Sequence, residues 1–370
     1  MANRPPTLDK RVFCIKDLKD AGNQKLPRVY RDYHDDGSMD MVTLRENETA
    51  FDHYKIRPRV LVNVHEIDTS TSIFGCKVAF PLAFSPTGMQ KLAHPDGELA
   101  TSRAAASSGL SMVLSSYSTV SLEEVIAHGQ ENPYAIQMCI LRDRSIALQL
   151  LKRAEKAGYR AFFLSVDFPI IGQRLNEYRN GFVLPEHMSY PNLNFGGKHS
   201  FFDEDGRKSY DASLEWKSFI PWLRQNTTLP IWLKGITTKE DVQLAIEYGA
   251  DGVVISNHGG RQLDGTPAAI DALRECEPVA RGKIQIALEG GIRRGSDIFK
   301  ALALGAQHCF VGRVPIWGLA YNGQDGVELA MKILHRELKT TMALAGCRTI
   351  KDIRRNHLSV LQADRTLARL

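Results

Sequence analysis

Eight short apolar runs recur along the chain, each closed by polar residues and followed by a stretch of helical periodicity, and no other feature limits the fold so tightly. The runs are Val78 to Phe84, Ser111 to Leu114, Tyr134 to Met138, Ala161 to Leu164, Ile231 to Leu233, Gly252 to Ile255, Ile284 to Leu288 and Cys309 to Val311. Between them lie helix-like segments: Gly97 to Ser108, Ser121 to His128, Ser145 to Ala157, Thr238 to Tyr248, Thr266 to Cys276 and Ser296 to Leu304. Strands that lack polar alternation are buried on both faces, and strands each followed by a helix are parallel. Eight such units predict a closed (β/α)₈ TIM barrel, an α/β fold. A doubly wound open sheet is the alternative, but no G-x-G-x-x-G follows the first strand.

One spacing is irregular. Runs four and five start at 161 and 231, a gap of 70, against 21 to 33 elsewhere. The excess, about 172 to 210, is rich in Asn, Gly, Pro and aromatic residues and is expected to form a mobile lid. Residues 1 to 75 precede the barrel as a helical extension, 76 to 370 form the barrel domain, and Gly326 to Ala345 is expected as a long closing helix.

Composition narrows the function. With 370 residues, 43% hydrophobic and 24% charged, the chain has an ordinary globular make-up. A net charge of +5 without a basic block offers nucleic acid no footprint. Six cysteines without a C-x-x-C pair write neither a zinc site nor a disulfide framework, which suits a reducing compartment. No apolar run reaches the roughly 18 residues of a membrane span. Ala368-Arg369-Leu370 has the small, basic, leucine form of a peroxisomal address.

In this barrel the active site lies at the C-terminal ends of the strands. The residues there are Ser85-Pro86-Thr87-Gly88, Ser115-Ser116-Tyr117, Gln137 with Cys139, Ser165-Val166-Asp167, Lys234-Gly235, Ser256-Asn257-His258-Gly259-Gly260-Arg261, Glu289-Gly290-Gly291-Ile292-Arg293-Arg294 and Gly312-Arg313. Glycines with arginines after strands seven and eight predict a phosphate site, because close-lying backbone N–H groups and forked guanidinium groups both bind that anion. His258 on a glycine-bounded loop is a candidate base with Asp167 as carboxylate partner. Lys234 reads either as a structural ion pair with Asp167 or Glu289, or as a functional cation.

The stretch Ser256-Asn257-His258-Gly259-Gly260-Arg261-Gln262-Leu263-Asp264, with Gly290 to Arg313 including Phe299-Lys300-Ala301-Leu302-Ala303-Leu304-Gly305-Ala306, resembles the FMN-dependent α-hydroxy-acid oxidase and dehydrogenase family from about Leu26 to His357. The resemblance implies FMN as cofactor, His258 as the base held by Asp167, and Arg174, Arg261 and Tyr33 as carboxylate holders. It implies Lys234 beside flavin N1 and O2, with Gln137, Ser115 and Ser165 on the ring and Pro86, Thr87 and Gly88 beside it. Ser256 and Glu289 would face the cofactor, and Gly290, Gly291, Arg293, Gly312 and Arg313 would take its phosphate. Tyr117 would line the substrate side.

Three residues depart from the family. Cys139 replaces the usual tyrosine, so a hydroxyl is lost and a larger pocket is expected. Gly88 stands where glycolate oxidases have alanine, and Glu289 where the family has aspartate. The expected activity is oxidation of an L-2-hydroxy acid to the 2-oxo acid, with oxygen as acceptor, hydrogen peroxide as product, and a homo-oligomer, tetramer or octamer, as the working form. The alternatives are a ring-bearing 2-amino or 2-imino carboxylate of fusaric-acid type, as in fungal specialised metabolism, and a non-catalytic flavin-binding scaffold.

Overall fold

In the computed structural model, which describes residues 6–193 and 210–370, eight parallel strands close into a barrel. They are β1 (Leu82–Phe84), β2 (Ser111–Ser115), β3 (Tyr134–Met138), β4 (Ala161–Ser165), β5 (Ile231–Ile236), β6 (Gly252–Ile255), β7 (Gln285–Glu289) and β8 (His308–Val311), and β8 pairs back onto β1. The register sets polar strand ends side by side: Ser115 opposite Gln137, and Ser165 opposite Lys234.

Two cores result. Inside the barrel the strands contribute Ala83, Val113, Ala135, Ala161, Phe163, Trp232, Val254, Ala287 and Phe310. Large and small residues interlock, with Phe163 and Trp232 stacked at 5.5 Å. Gly252 is required here, since a Cβ would land on the Trp232 ring. Outside the barrel, the opposite strand faces pack on helices whose caps follow the sequence: Ser121 and Glu124 form a capping box, and the side chains of Asp143 and Thr238 accept from backbone N–H groups of their helices.

Three boundaries differ from the sequence reading. The first run divides: Cys76–Val78 pairs with Thr71–Ile73 in an antiparallel hairpin, and only Leu82–Phe84 enters the barrel. Phe74 at the hairpin tip packs edge-on against Phe163 and Trp232 and plugs the barrel bottom, so the hairpin straddles the expected boundary at 75/76. The closing helix starts at Arg313, directly after β8, and bends at Asn322 and Gly323 before running to Ala345. Of the stretch expected as a lid, residues 194–209 lie outside the described residues; the part before them carries the short helix Leu175–Arg179.

The N-terminal extension holds helices Ile15–Asn23, Arg28–Asp35 and Val42–Thr49, and its strand Tyr54–Ile56 pairs with Leu358–Leu361. The latter also pairs with Leu367–Arg369, so Ala368 and Arg369 lie in an edge strand. Among the described residues no helix is long and apolar enough to cross a membrane.

Candidate active site

The ends of β4 and β6 bring Asp167 and His258 together. His258 Nδ1 lies 3.1 Å from both Asp167 carboxylate oxygens, so the Nδ1–H donates to the carboxylate and Nε2 is left as the nitrogen that can take a proton. The loop backbone is tightly turned: His258 has φ +57°, and its N–H donates to Ser256 Oγ at 3.0 Å. Burial and then the Lys234 ammonium hold the imidazole below its ordinary pKa, against the opposing pull of Asp167. Burial pushes the Asp167 carboxyl up, but His258 and Lys234 outweigh it and leave it below the usual range. A neutral imidazole beside an ionised carboxylate is the resting state these shifts favour, which is the state a general base needs.

Lys234, only 2% exposed, projects from β5 and donates to Glu289 Oε1 at 2.8 Å. Burial disfavours its charge, but Glu289 and Asp167 overcome that and raise its pKa. Ser256 Oγ donates to the same Glu289 oxygen at 3.0 Å, while buried Oε2 has no hydrogen-bond partner among the described residues. A carboxylate oxygen buried without a donor is costly, so this one suits a ligand hydroxyl. Gln137 Nε2 donates to Ser165 Oγ at 2.9 Å and to Cys139 Sγ at 3.3 Å, and the backbone N–H of Tyr117 donates to Ser115 Oγ.

Two arginines adjoin the dyad. Arg174 reaches over the Phe168 ring, and Arg261 lies 5.0 Å from the centre of the Tyr33 ring, which stacks on Phe182. Glu177, which the sequence reading did not single out, accepts from Arg174 at 3.2 Å and from Arg261 at 3.4 Å. Burial first, and then the like charge of Arg174, push the Arg261 pKa down to about 10.

Arg313 donates to the carbonyls of His34, Gly259 and Asp36, and burial with the fields of Arg261 and Arg293 pushes its pKa down to about 9. A buried arginine whose charge is opposed by two neighbouring arginines marks a place that favours an anion. Gly312 points the same way. Its φ of −99° suits any residue, and a Cβ there would meet only Thr87 Oγ1 at 3.5 Å and Ser85 Cβ at 3.6 Å. Among the described residues nothing demands glycine at this strand end, whereas a closely approaching ligand would. The nearby Ser85 Oγ is buried without a partner among the described residues. Gly290 and Gly291 have φ of +130° and +75°, and a Cβ on Gly291 would strike the Asn47 carbonyl, so the fold alone requires that glycine. Arg293 turns its side chain to Glu48 at 2.8 Å and over the Trp317 ring.

Cys139 is 5% exposed, and burial pushes its thiol up to about 12, so it stays protonated. The ring of Tyr210 packs edge-on against Phe168 at 4.6 Å and lies 6.4 Å from that of Tyr117. Gly88 also has a packing reason: a Cβ would come within 3.0 Å of both Tyr117 Cβ and the Tyr117 carbonyl.

The extension completes the mouth. Asn47 and Asn257 exchange amide hydrogen bonds at 2.8 and 2.9 Å, and Asp264 accepts from the backbone N–H groups of Val42 and Thr43. Among the described residues no group of His, Cys, Asp and Glu side chains could hold a metal ion.

Comparison with known proteins places this geometry. The family model of FMN-dependent dehydrogenases matches residues 22–360. Oxidase FUB9 of Fusarium oxysporum f. sp. lycopersici is 50% identical over 357 residues, covering 95% of this chain and 92% of that protein. Glycolate oxidase of Spinacia oleracea is 43% identical over 355 residues, covering 94% and 96%. A solved mandelate oxidase variant with (S)-mandelic acid superposes with a TM-score of 0.86 at 39% identity, covering 94% of this chain and 98% of its own. The eight-stranded barrel, the His258–Asp167 pair and these matches agree: the chain belongs to the FMN-dependent dehydrogenase family, whose members include oxidases of 2-hydroxy acids.

Proposed function

We propose that the protein oxidises an L-2-hydroxy acid to the 2-oxo acid and passes the electrons to oxygen, releasing hydrogen peroxide. The observation that carries this reading is the His258–Asp167 pair set beside the buried Arg174 and the Arg261–Tyr33 pair. Two guanidinium groups and a phenol suit forked anchoring of a carboxylate, which fixes the adjacent Cα–H; such positioning can contribute about 7 to 11 kcal/mol. His258 Nε2 then takes a proton from the substrate, and Asp167 balances the imidazolium. FMN, when bound, accepts the electron pair. Lys234 would hold positive charge against the ring, with Gln137, Ser115, Ser165 and the Pro86-Thr87-Gly88 turn along it. Glu289 Oε2 would accept from the ribityl chain, and Gly291, Gly312, Arg313 and Arg293 would hold the phosphate. The protein would work as a homo-oligomer, and Ala368-Arg369-Leu370 would direct it to peroxisomes once its edge strand is released.

A second reading is favoured by the aromatic rings of Phe168, Tyr117 and Tyr210, which suit a ring-bearing substituent. The substrate would then be a ring-bearing 2-amino or 2-imino carboxylate, which also offers a Cα–H beside a carboxylate. A non-catalytic flavin scaffold is disfavoured by the intact base pair and both arginines. Peroxide release from the purified protein across a panel of 2-hydroxy, 2-amino and cyclic imino acids tests all three. Hydroxy acids alone support the first reading, cyclic amino or imino acids the second, and a yellow protein inert to the whole panel the third.

A further inference from the structure

Cys139 lacks the phenol that the family resemblance places on the substrate side, yet the structure surrounds this position with phenols from elsewhere. Tyr210 is the one brought from furthest away. It stands 43 residues beyond Asp167, and two backbone contacts carry it back to the end of β3: Leu141 bridges Tyr210, and the Asp211 N–H donates to the Ile140 carbonyl at 2.9 Å. Asp211 fastens the turn, accepting from the Ser213 N–H at 3.0 Å and lying 3.5 Å from Arg144. The backbone at 210 is therefore fixed directly beside the strand end that carries Cys139.

The side chain points inward. Its ring packs edge-on against Phe168, which is itself tilted against the His258 imidazole at 5.3 Å. Its hydroxyl pairs with that of Tyr117, and the Cys139 thiol, the Arg174 guanidinium and Tyr33 all act on it electrostatically. Burial raises the Tyr210 pKa above its ordinary value, so the hydroxyl remains a neutral donor throughout the working pH range.

We propose that Tyr210 supplies the substrate-side phenol that Cys139 lacks, donating to the bound carboxylate beside Arg174 and, with Tyr117 and Phe168, forming the aromatic wall that selects the substrate's side chain. A phenol arriving from the loop rather than from β3 approaches from a different side. The walls it makes are flat and aromatic, and they favour an apolar or ring-bearing 2-substituent over the bare hydrogen of glycolate. The assignment rests on the carboxylate-oxidising reading above.

The test is Tyr210→Phe, which keeps the ring and removes only the hydroxyl. FMN-loaded protein is titrated with oxalate, a carboxylate that cannot be oxidised through a Cα–H, following the flavin absorption, and is reduced anaerobically by the best substrate of the panel. Loss of a hydrogen bond to a charged group should weaken oxalate binding and lower kcat/KM about ten- to hundredfold. FMN content and Tm should stay unchanged. Restoring a phenol from the strand while making room for it, in Cys139→Tyr/Tyr210→Ala, should recover oxalate binding and move the ratio of kcat/KM values toward glycolate. Parent-like oxalate binding and reduction in Tyr210→Phe would overturn the proposal, as would a folded, FMN-loaded double variant that recovers neither. If the parent oxidises no 2-hydroxy acid, the functional reading fails, while the oxalate titration still decides the role of Tyr210.

Discussion

Replacing Asp167 by asparagine isolates the electrostatic part of the proposed base. The amide keeps the shape and can still accept from Nδ1–H, so the change is the loss of one negative charge 3.1 Å from the imidazole. That charge matters most when His258 carries the substrate proton. An ion pair at an effective dielectric near 20 is worth about 4 kcal/mol at 4 Å, and charged hydrogen bonds measure about 1.5 to 3 kcal/mol, so the barrier should rise by about 1.5 to 4 kcal/mol. The rate of flavin reduction should then fall about ten- to a thousandfold. The pH dependence gives a second reading with a definite sign. Asp167 raises the His258 pKa while burial and Lys234 lower it, so without the carboxylate the pKa drops further. Because the neutral imidazole is the active form, the acid limb of the rate profile should move to lower pH even as the plateau falls. Anaerobic stopped-flow reduction with protium and Cα-deuterium substrate, from pH 5 to 9, measures both. A plateau within fivefold of the parent, or an acid limb moving to higher pH, would refute the assignment of His258 as a base propped by Asp167.

Arg261→Lys should raise KM for the carboxylate about tenfold or more with a smaller effect on kcat, because an ammonium cannot reproduce the fork or the stacking on Tyr33; steady-state kinetics decides it. Gly252→Ala drives a methyl into the Trp232 ring and should cost about 1 to 3 kcal/mol, seen as a Tm several degrees lower with the flavin spectrum retained in the folded fraction. Gly88→Ala should push Tyr117 by a few tenths of an ångström and change the ratio of kcat/KM values for ring-bearing acids and glycolate, with FMN content unaltered; an unchanged ratio would show that Tyr117 does not line the side-chain pocket.

The barrel was readable because its strands are buried on both faces and each is separated from the next by amphipathic or alanine-rich helices, so periodicity changes at every boundary. The misjudged places have identifiable causes. The run from Val78 to Phe84 contains Pro81, which has no N–H for a sheet ladder, and that residue marks where the hairpin ends and β1 begins. The closing helix begins at Arg313 with Pro315 in its first turn, a position that tolerates proline. Glu177 follows Arg174 at the i+3 spacing of a helical ion pair and could have been found. Asn47 and Tyr210 could not. Their roles depend on tertiary pairings across about 210 and 70 residues, with Asn257 and Leu141, and nothing local in the sequence announces either.

The departures from the family pattern are best understood as one rearrangement rather than as independent substitutions. Glycine at 88 lets the Tyr117 backbone and Cβ approach to a distance that alanine would resist. Tyr117, so placed, pairs its hydroxyl with that of Tyr210. Tyr210 in turn lies against Phe168, and the thiol at 139 acts on its hydroxyl, so a large ring from β3 in place of that thiol would compete with Tyr210 for space. A small residue at 139 is therefore a steric condition for the aromatic wall proposed for Tyr117 and Tyr210, and glycine at 88 is a condition for the position of its first member. It follows that Cys139→Tyr alone should be worse tolerated than Cys139→Tyr combined with loss of bulk at 210. The coupling between these sites should be of the size measured for residues in contact, about 0.5 to 3 kcal/mol, and not the near-zero expected of separate sites. On this proposal the residues assigned to the proton, His258 and Asp167, match the family pattern while the wall around Tyr117 and Tyr210 departs from it at 88 and 139, which is the pattern expected when the chemistry of a site is held and its selectivity is moved.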